Sequence, residues 1–321
     1  MTAFFWVTVD TEAGRGRSFD KWVVGKTEFG EFGVSKIIGV CDNYRVRATF
    51  FVDVYEVGLY GEDPVRSVCR QIVDAKHECQ LHTHPANLNH DWSRQRMSDY
   101  SLREQEKIIR EGLDLIEKYA GVRPIAHRAG AYGVDSRTLS ALVRNAMVVD
   151  SSYFYSYNTF DKGFVMPRTI GRLTEVPVTV FGARLGRLPV RPILKLDLDW
   201  LPLRELLAAA ERLVQVNSII VLFLHGDSLT RTLDEKGNSA NVDKLESLLA
   251  FLNSRASSLV SEDIARMSPL PVTLPLVTDV PISLRFALSG FPTLLRRTIQ
   301  TQLHQVSEQK VQDLPVMLAL L

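Results

Sequence analysis

A chain of 321 residues, 45% of them hydrophobic, is long enough to bury a full core without staples, as one large α/β domain or two smaller ones. Its 38 lysines and arginines balance 37 aspartates and glutamates, so no global field draws in nucleic acid or an acidic membrane surface. Cys41, Cys69 and Cys79 lack C-x-x-C spacing, which argues against a disulfide framework or zinc ribbon and reads as reduced thiols in a cytoplasmic protein. The N-terminus has no basic n-region and reaches Asp10 too soon for a signal peptide. No run of about 18 apolar residues predicts a membrane span.

In chain order, Phe4 to Val9 is an apolar, β-rich run that delivers Asp10 and Glu12 to its C-terminal end, and the glycines and arginines through Gly30 read as loop. Val34 to Asn43 has helical spacing, and Val46 to Asp53 is a second strand. Pro64 to Ala75 is a helix with Asp63 as its cap, and Glu78 to His82 is a third strand ending in His82-Thr83-His84-Pro85. Ser101 to Tyr119 is a long amphipathic helix closed by Gly121; Pro124 to Arg128 and Met147 to Ser152 are strands flanking a helix at Ser136 to Arg144. Leu173 to Val180 and Ile193 to Leu198 are weaker strands. Leu203 to Val216 is a helix, Ile219 to Leu224 a fully apolar strand, and Val242 to Ser254 the last clear helix. This alternation predicts a parallel sheet with crossover helices, either open or closed as a barrel. Five of the fourteen prolines fall between Pro269 and Pro292, which sets residues 269–321 apart as a C-terminal extension to a domain of residues 1–268. The extension's helical piece, Phe291 to Val306, fits a surface or dimer-contact helix.

The chemistry gathers at strand ends. Asp10 and Glu12 stand two apart, so the pleat turns both carboxylates to one side, where they can share a divalent metal or divide into ligand and general base. Pairing with Arg15 or Arg17 is the blander reading. His82 and His84 repeat that geometry on another strand, and two imidazoles at alternate positions can converge on one ion, with His90 in the loop beyond. His225 follows an apolar strand and precedes Gly226, Asp227 and Ser228; Asp227 either orients the ring or caps the next segment. Arg128, permanently charged, would hold a buried neighbouring carboxylate ionised. Asp197 and Asp199 read as partners for Arg128, with Trp200 an aromatic wall for a sugar face. Gly14-Arg15-Gly16-Arg17 matches no P-loop or dinucleotide fingerprint, and no G-x-S-x-G elbow is present.

These residues resemble the motifs of the polysaccharide deacetylase (NodB-homology, carbohydrate esterase family 4-like) family. Val7 to Glu12 is similar to its first motif, Arg47-Ala48-Thr49-Phe50-Phe51-Val52 to its ATFFV strand, and Glu78 to Pro85 to its histidine motif. Ala126-His127-Arg128-Ala129-Gly130, Val149-Asp150-Ser151-Ser152 and Leu222-Phe223-Leu224-His225 follow in the family's order. The resemblance spans residues 4 to 228. It implies a distorted (β/α) barrel with Asp10 as catalytic base, His225 as general acid and Arg128 tuning Asp10. In two places the sequence departs: Thr11 stands where the family has a metal-binding aspartate, and Ala86 where it has the second histidine. The substitute metal set is Glu12, His82 and His84, with Asp10 or His90 as further ligands in alternative sets. The resemblance implies a divalent cofactor, zinc by ligand type with cobalt or nickel as alternatives, and hydrolysis of an N-acyl group. The expected substrate is a sugar, either small or lipid- or nucleotide-linked, in surface polysaccharide or O-antigen synthesis. A catalytically inactive sugar-binding relative and a hydrolase of non-sugar amides are the competing readings.

Overall fold

The computed structural model describes residues 3–155, 158, 165–184, 192–216, 219–267 and 278–282. Its strands in chain order are β1 (Phe4–Thr11), β2 (Lys26–Thr27), β3 (Gly30–Glu31), β4 (Ala48–Val52), β5 (Glu78–Thr83), β6 (Ala126–Ala129) and β7 (Val149–Asp150). They continue with β8 (Arg168–Ile170), β9 (Leu173–Glu175), β10 (Val180–Arg184), β11 (Ile193–Lys195), β12 (Ile219–His225), β13 (Ser257–Leu259) and β14 (Asp279–Pro281). The main sheet runs β12-β1-β4-β5-β6-β7-β9-β8, with β13 also on β1. Every pairing in it is parallel except β8 with β9. Helices cross between the parallel strands, and the whole is a distorted (β/α) barrel.

Parity along the strands sorts the core. Phe5, Val7 and Val9 of β1 face outward into the large apolar layer beneath the helices. Trp6 faces inward, where it packs with Phe51, Ala126, Val149 and Val221 in a second cluster. Both faces of β1 are buried, which is why its sequence is nearly continuous in apolar residues. The inward face becomes polar toward the C-terminal ends: Trp6 is followed by Thr8 and Asp10, Phe51 by Asp53, and Phe223 by His225. A polar chain also closes the opposite end, where Trp6 Nε1 donates to Thr49, Thr49 to Glu78, and Ser261 to Glu78.

Most expected elements form within a residue or two. The long helix is Leu102–Ala120, entered by a reciprocal cap in which Ser101 Oγ accepts from Glu104 N–H and the Glu104 carboxylate accepts from Ser101 N–H. Gly121, at φ 70°, ends it. Asp63 is not a cap: the helix starts two residues earlier, at Glu62, behind Gly61, and Asp63 lies in its first turn facing Arg66 at 3.3 Å. The segment through Gly30 is more than loop. Asp20–Val24 forms a π-helical turn and β2 pairs with β3 in a small hairpin. Its link, Gly25, has φ 70° and abuts the Gly33 backbone, where any Cβ would collide. A strand (β13) and a short helix (Ser261–Arg266) follow the last expected helix. The Phe291–Val306 segment lies outside the described residues; of the expected extension, β14 is described, and it pairs with β10.

Candidate metal and catalytic site

All the candidate side chains stand at the C-terminal mouth of the barrel, because parallel strands end together there. Register makes the neighbours: Asp10 of β1 is opposite His225 of β12, and His82 of β5 is opposite Arg128 of β6. Glu12 and His84 lie just past their strands on the same inward parity.

Glu12, His82 and His84 form one group whose ligand atoms all lie within 4.8 Å of one another. Glu12 Oε2 is 2.5 Å from His84 Nε2 and 3.7 Å from His82 Nε2, and the two rings are 4.9 Å apart. His82 Nδ1 lies 2.8 Å from the Arg128 carbonyl. A carbonyl only accepts, so Nδ1 carries the hydrogen and Nε2 turns its lone pair to the shared space. Both Nε2 atoms are buried without a well-formed hydrogen bond. Buried nitrogens left unsatisfied around a carboxylate fit a divalent cation. Burial pushes the His82 imidazole below its ordinary pKa, which favours the neutral, ligating form. Without an ion, burial lowers His84 too, but Glu12 and nearby carboxylates outweigh it and hold the ring protonated up to about 10. Glu12 is correspondingly depressed: burial raises it, and His84 and His82 more than reverse the effect. His90 is not in the group; it terminates the helical turn Pro85–Asn89 in a left-handed conformation, its ring against Gly58.

Asp10 sits 3.9 Å from His82 Nε2 and is held from below by Arg128, whose Nη1 donates to Asp10 Oδ1 and to Thr8 Oγ1, both at 2.9 Å. Arg128 is wholly buried. Its remaining donors go to the Ser151 carbonyl (3.0 Å) and hydroxyl (2.9 Å), and its guanidinium packs on Phe51 and Phe223. Burial alone would raise the Asp10 pKa, but Arg128, His82 and His225 overcome it and the carboxylate is kept ionised.

On the other side, His225 Nδ1 points to Asp199 Oδ2 at 3.4 Å. Asp199 is fixed by Ser228 Oγ, Asn241 Nδ2 and Arg231 Nη1, at 2.9, 3.1 and 2.7 Å. Burial lowers the imidazole pKa, but Asp199 and then Asp10 and Asp197 raise it overall, favouring a protonated ring. This corrects two expectations. Asp197 and Asp199 do not pair with Arg128, because the Arg128 stem points inward and spends its donors on Thr8, Asp10 and Ser151; Asp197 instead pairs with Lys195 at 2.9 Å. Asp227 does not orient His225 but binds Arg231 through both oxygens. Trp200 is half exposed at 51%, next to Asp199. Arg15 and Arg17 do not pair with Asp10 or Glu12; each guanidinium lies over a tryptophan, Trp92 and Trp22.

Sequence reasoning passed over two buried acids behind the group. Asp53 accepts from Asn87 Nδ2 at 2.6 Å, and Glu56 accepts the backbone N–H groups of Ala13 and Gly14, anchoring the loop after Glu12. Burial drives both carboxyls upward in pKa. The signal for Asp53 was its inward parity two residues past Phe51; Glu56 had none, since it lies in a short 3₁₀ turn. A further close fit is Gly130, where a Cβ would strike the His84 ring.

Residues 19–148 match the polysaccharide deacetylase family model. No protein of curated function matches the chain. Among solved structures, a putative polysaccharide deacetylase from Mycobacterium smegmatis is similar at 18% identity and TM-score 0.56, over 86% of this chain and 95% of that one. A CE4-family pseudoenzyme from Bacillus anthracis shares 12% identity over 88% and 70% of the two chains, with TM-score 0.48. A family 4 carbohydrate esterase from Streptomyces lividans, solved with acetate, shares 15% over 84% and 98%, with TM-score 0.46. The match over residues 19–148 and the shared barrel fold make the chain similar to the polysaccharide deacetylase (NodB-homology) family.

Proposed function

We propose that this protein is a metal-dependent deacetylase that hydrolyses an N-acyl, chiefly N-acetyl, group on a sugar. One observation carries the reading: a cluster of Glu12, His82 and His84 shares one barrel mouth with an arginine-held carboxylate, Asp10, and a carboxylate-held imidazole, His225. Glu12, His82 and His84 would hold a divalent ion, zinc by donor type with cobalt or nickel as alternatives. Such an ion supplies Lewis acidity to the acyl oxygen and to a water. Asp10, kept ionised by Arg128, takes the proton from the attacking water. His225, kept protonated by Asp199, gives one to the departing amine, which would otherwise be too basic to leave. Trp200 offers a flat ring to a sugar face.

The substrate reading extends to a precursor sugar, small or lipid- or nucleotide-linked, of surface polysaccharide or O-antigen synthesis, in the cytoplasm. Among the described residues no helix is long and apolar enough to cross a membrane. Residues 1–268 are read as the catalytic domain and 269–321 as its extension.

The test is elemental analysis of the wild type and of His82→Ala after mild chelation and re-addition of zinc, cobalt or nickel, followed by assay of acetate release from N-acetylated sugars. About one ion per chain, lost in the variant, is expected for a three-ligand site. No ion under any reconstitution favours an inactive sugar-binding relative, the outcome that Thr11 and Ala86 would foreshadow. Metal binding with acetate released only from non-sugar amides would shift the substrate class.

A further inference from the structure

The loop that follows Glu12 carries two arginines that the proposed chemistry does not use. Arg15 and Arg17 are exposed, and neither has a carboxylate partner among the described residues. Each guanidinium is stacked on a tryptophan instead: Arg15 lies 4.6 Å over the Trp92 ring and Arg17 lies 4.1 Å over Trp22. Stacking occupies the face of the guanidinium and leaves its edge N–H donors free for a bidentate anion. Asp91, beside Trp92, is committed to the Ser93 hydroxyl and N–H.

The loop is built to hold position. Buried Glu56 accepts from the backbone at Ala13 and Gly14, and the Tyr60 hydroxyl donates to the carbonyls of Gly14 and Arg17. Gly14 and Gly16, with φ of 80° and 76°, make the turns between these anchors. The two tryptophans belong to different segments of the chain. Trp92 follows the histidine loop, whereas the Trp22 backbone touches Gly226, next to His225. Chain length limits the reach: the Arg15 Cα lies within about 11 Å of the Glu12 Cα, and that of Arg17 within about 18 Å.

We infer that Arg15 and Arg17, each backed by its tryptophan, form an anion subsite, so that the sugar deacetylated here carries a phosphate or carboxylate group on the same residue or its neighbour. This rests on the sugar-deacetylase reading for the identity of the reacting group, but binding tests it without turnover. The arginine supplies the charged fork, and the tryptophan beneath it holds the guanidinium in place.

The experiment titrates the purified full chain, following tryptophan fluorescence with calorimetry in parallel, with three probes. These are UDP-N-acetylglucosamine for phosphate, a hyaluronan tetrasaccharide for carboxylate, and chitotetraose as the neutral sugar. At least one anionic probe is expected to bind about tenfold or more tighter than the neutral one at low salt, weakening as sodium chloride is added. In the double variant Arg15→Gln/Arg17→Gln that preference collapses while neutral binding stays; Arg15→Lys/Arg17→Lys, which keeps charge but loses the fork, retains part of it. Which anionic probe shows the preference identifies the anion. Equal affinity for charged and neutral probes, no binding of either anionic probe, or a preference intact in the glutamine variant overturns the inference. An anion preference without acetate release from any probe would leave the subsite standing and count against the deacetylase reading alone.

Discussion

Replacing Arg128 by methionine isolates the electrostatics at the centre of the barrel. The methionine fills much of the space of the arginine stem against Phe51 and Phe223 but removes the cation beside Asp10 and the donors to Thr8 and Ser151. Breaking a buried ion pair by removing one partner costs about 3–5 kcal/mol, a large part of a typical total stability of roughly 5–15 kcal/mol. The sign of the pH dependence is the sharper test. In the wild type Asp10 is depressed from its ordinary 3.8, so its contribution to stability is present above that value and is lost as pH falls through the folded pKa. In the variant burial is opposed only by His82 and His225, and the folded Asp10 pKa rises. The folded state then binds more protons than the unfolded state, and this contribution is lost as pH rises above 3.8. The stability gap between wild type and variant must therefore widen from pH 4 to pH 7. Urea denaturation at several pH values measures it, and activity in the variant should survive only at the alkaline end. A gap below about 1 kcal/mol, or one that is flat with pH, would refute the placement of Arg128 as the group that keeps Asp10 ionised.

Three further outcomes follow from the geometry. Asp199→Asn removes the chief group raising the His225 pKa, so the alkaline limb of the kcat/KM profile should move to lower pH; an unmoved limb would show that His225 is not the essential acid. Gly130→Ala places a methyl group against the His84 ring, so metal affinity should fall at least tenfold with secondary structure retained, read by competition with a chromophoric chelator. In the ion-free chain His84 stays protonated up to about 10 and Glu12 is depressed from 4.5, so the His84–Glu12 pair stabilises the fold fully between the ordinary values of 4.5 and 6.5, losing its contribution in acid as Glu12 protonates and in base as pH rises through about 10. An entering ion must displace that proton, and zinc affinity should climb by up to about tenfold per pH unit between pH 6.5 and 8.5. Pipetting the same titration in buffers of different ionisation enthalpy counts the released proton; a pH-independent affinity would remove His84 from the ligand set.

The linear sequence determined the elements and the cast of the site. Apolar runs bounded by glycine and charge marked β1, β4, β5 and β12, because a strand buried on both faces leaves a near-continuous hydrophobic signature. Acids and histidines just past those runs had to emerge on one rim once the strands were parallel, and two-residue spacing sufficed to pair Asp10 with Glu12 and His82 with His84. Pairings across the fold were decided by tertiary structure alone. Arg128 could have reached Asp197 or Asp199 as far as the sequence shows; strand parity aimed it inward at Asp10, some 118 positions earlier in the chain. Asp199 rather than the adjacent Asp227 faces His225, because Ser228, Arg231 and Asn241 fold back to hold it there. The loop through Gly30 likewise gave no local sign of its anchors. Glu56 and Tyr60 lie more than 40 positions away in sequence, and only the closure of β4 against β1 brings them beneath Gly14 and Arg17. Periodicity reports which face a side chain takes, whereas a long-range partner depends on which faces meet, and that is fixed only when the sheet curls and its register is set.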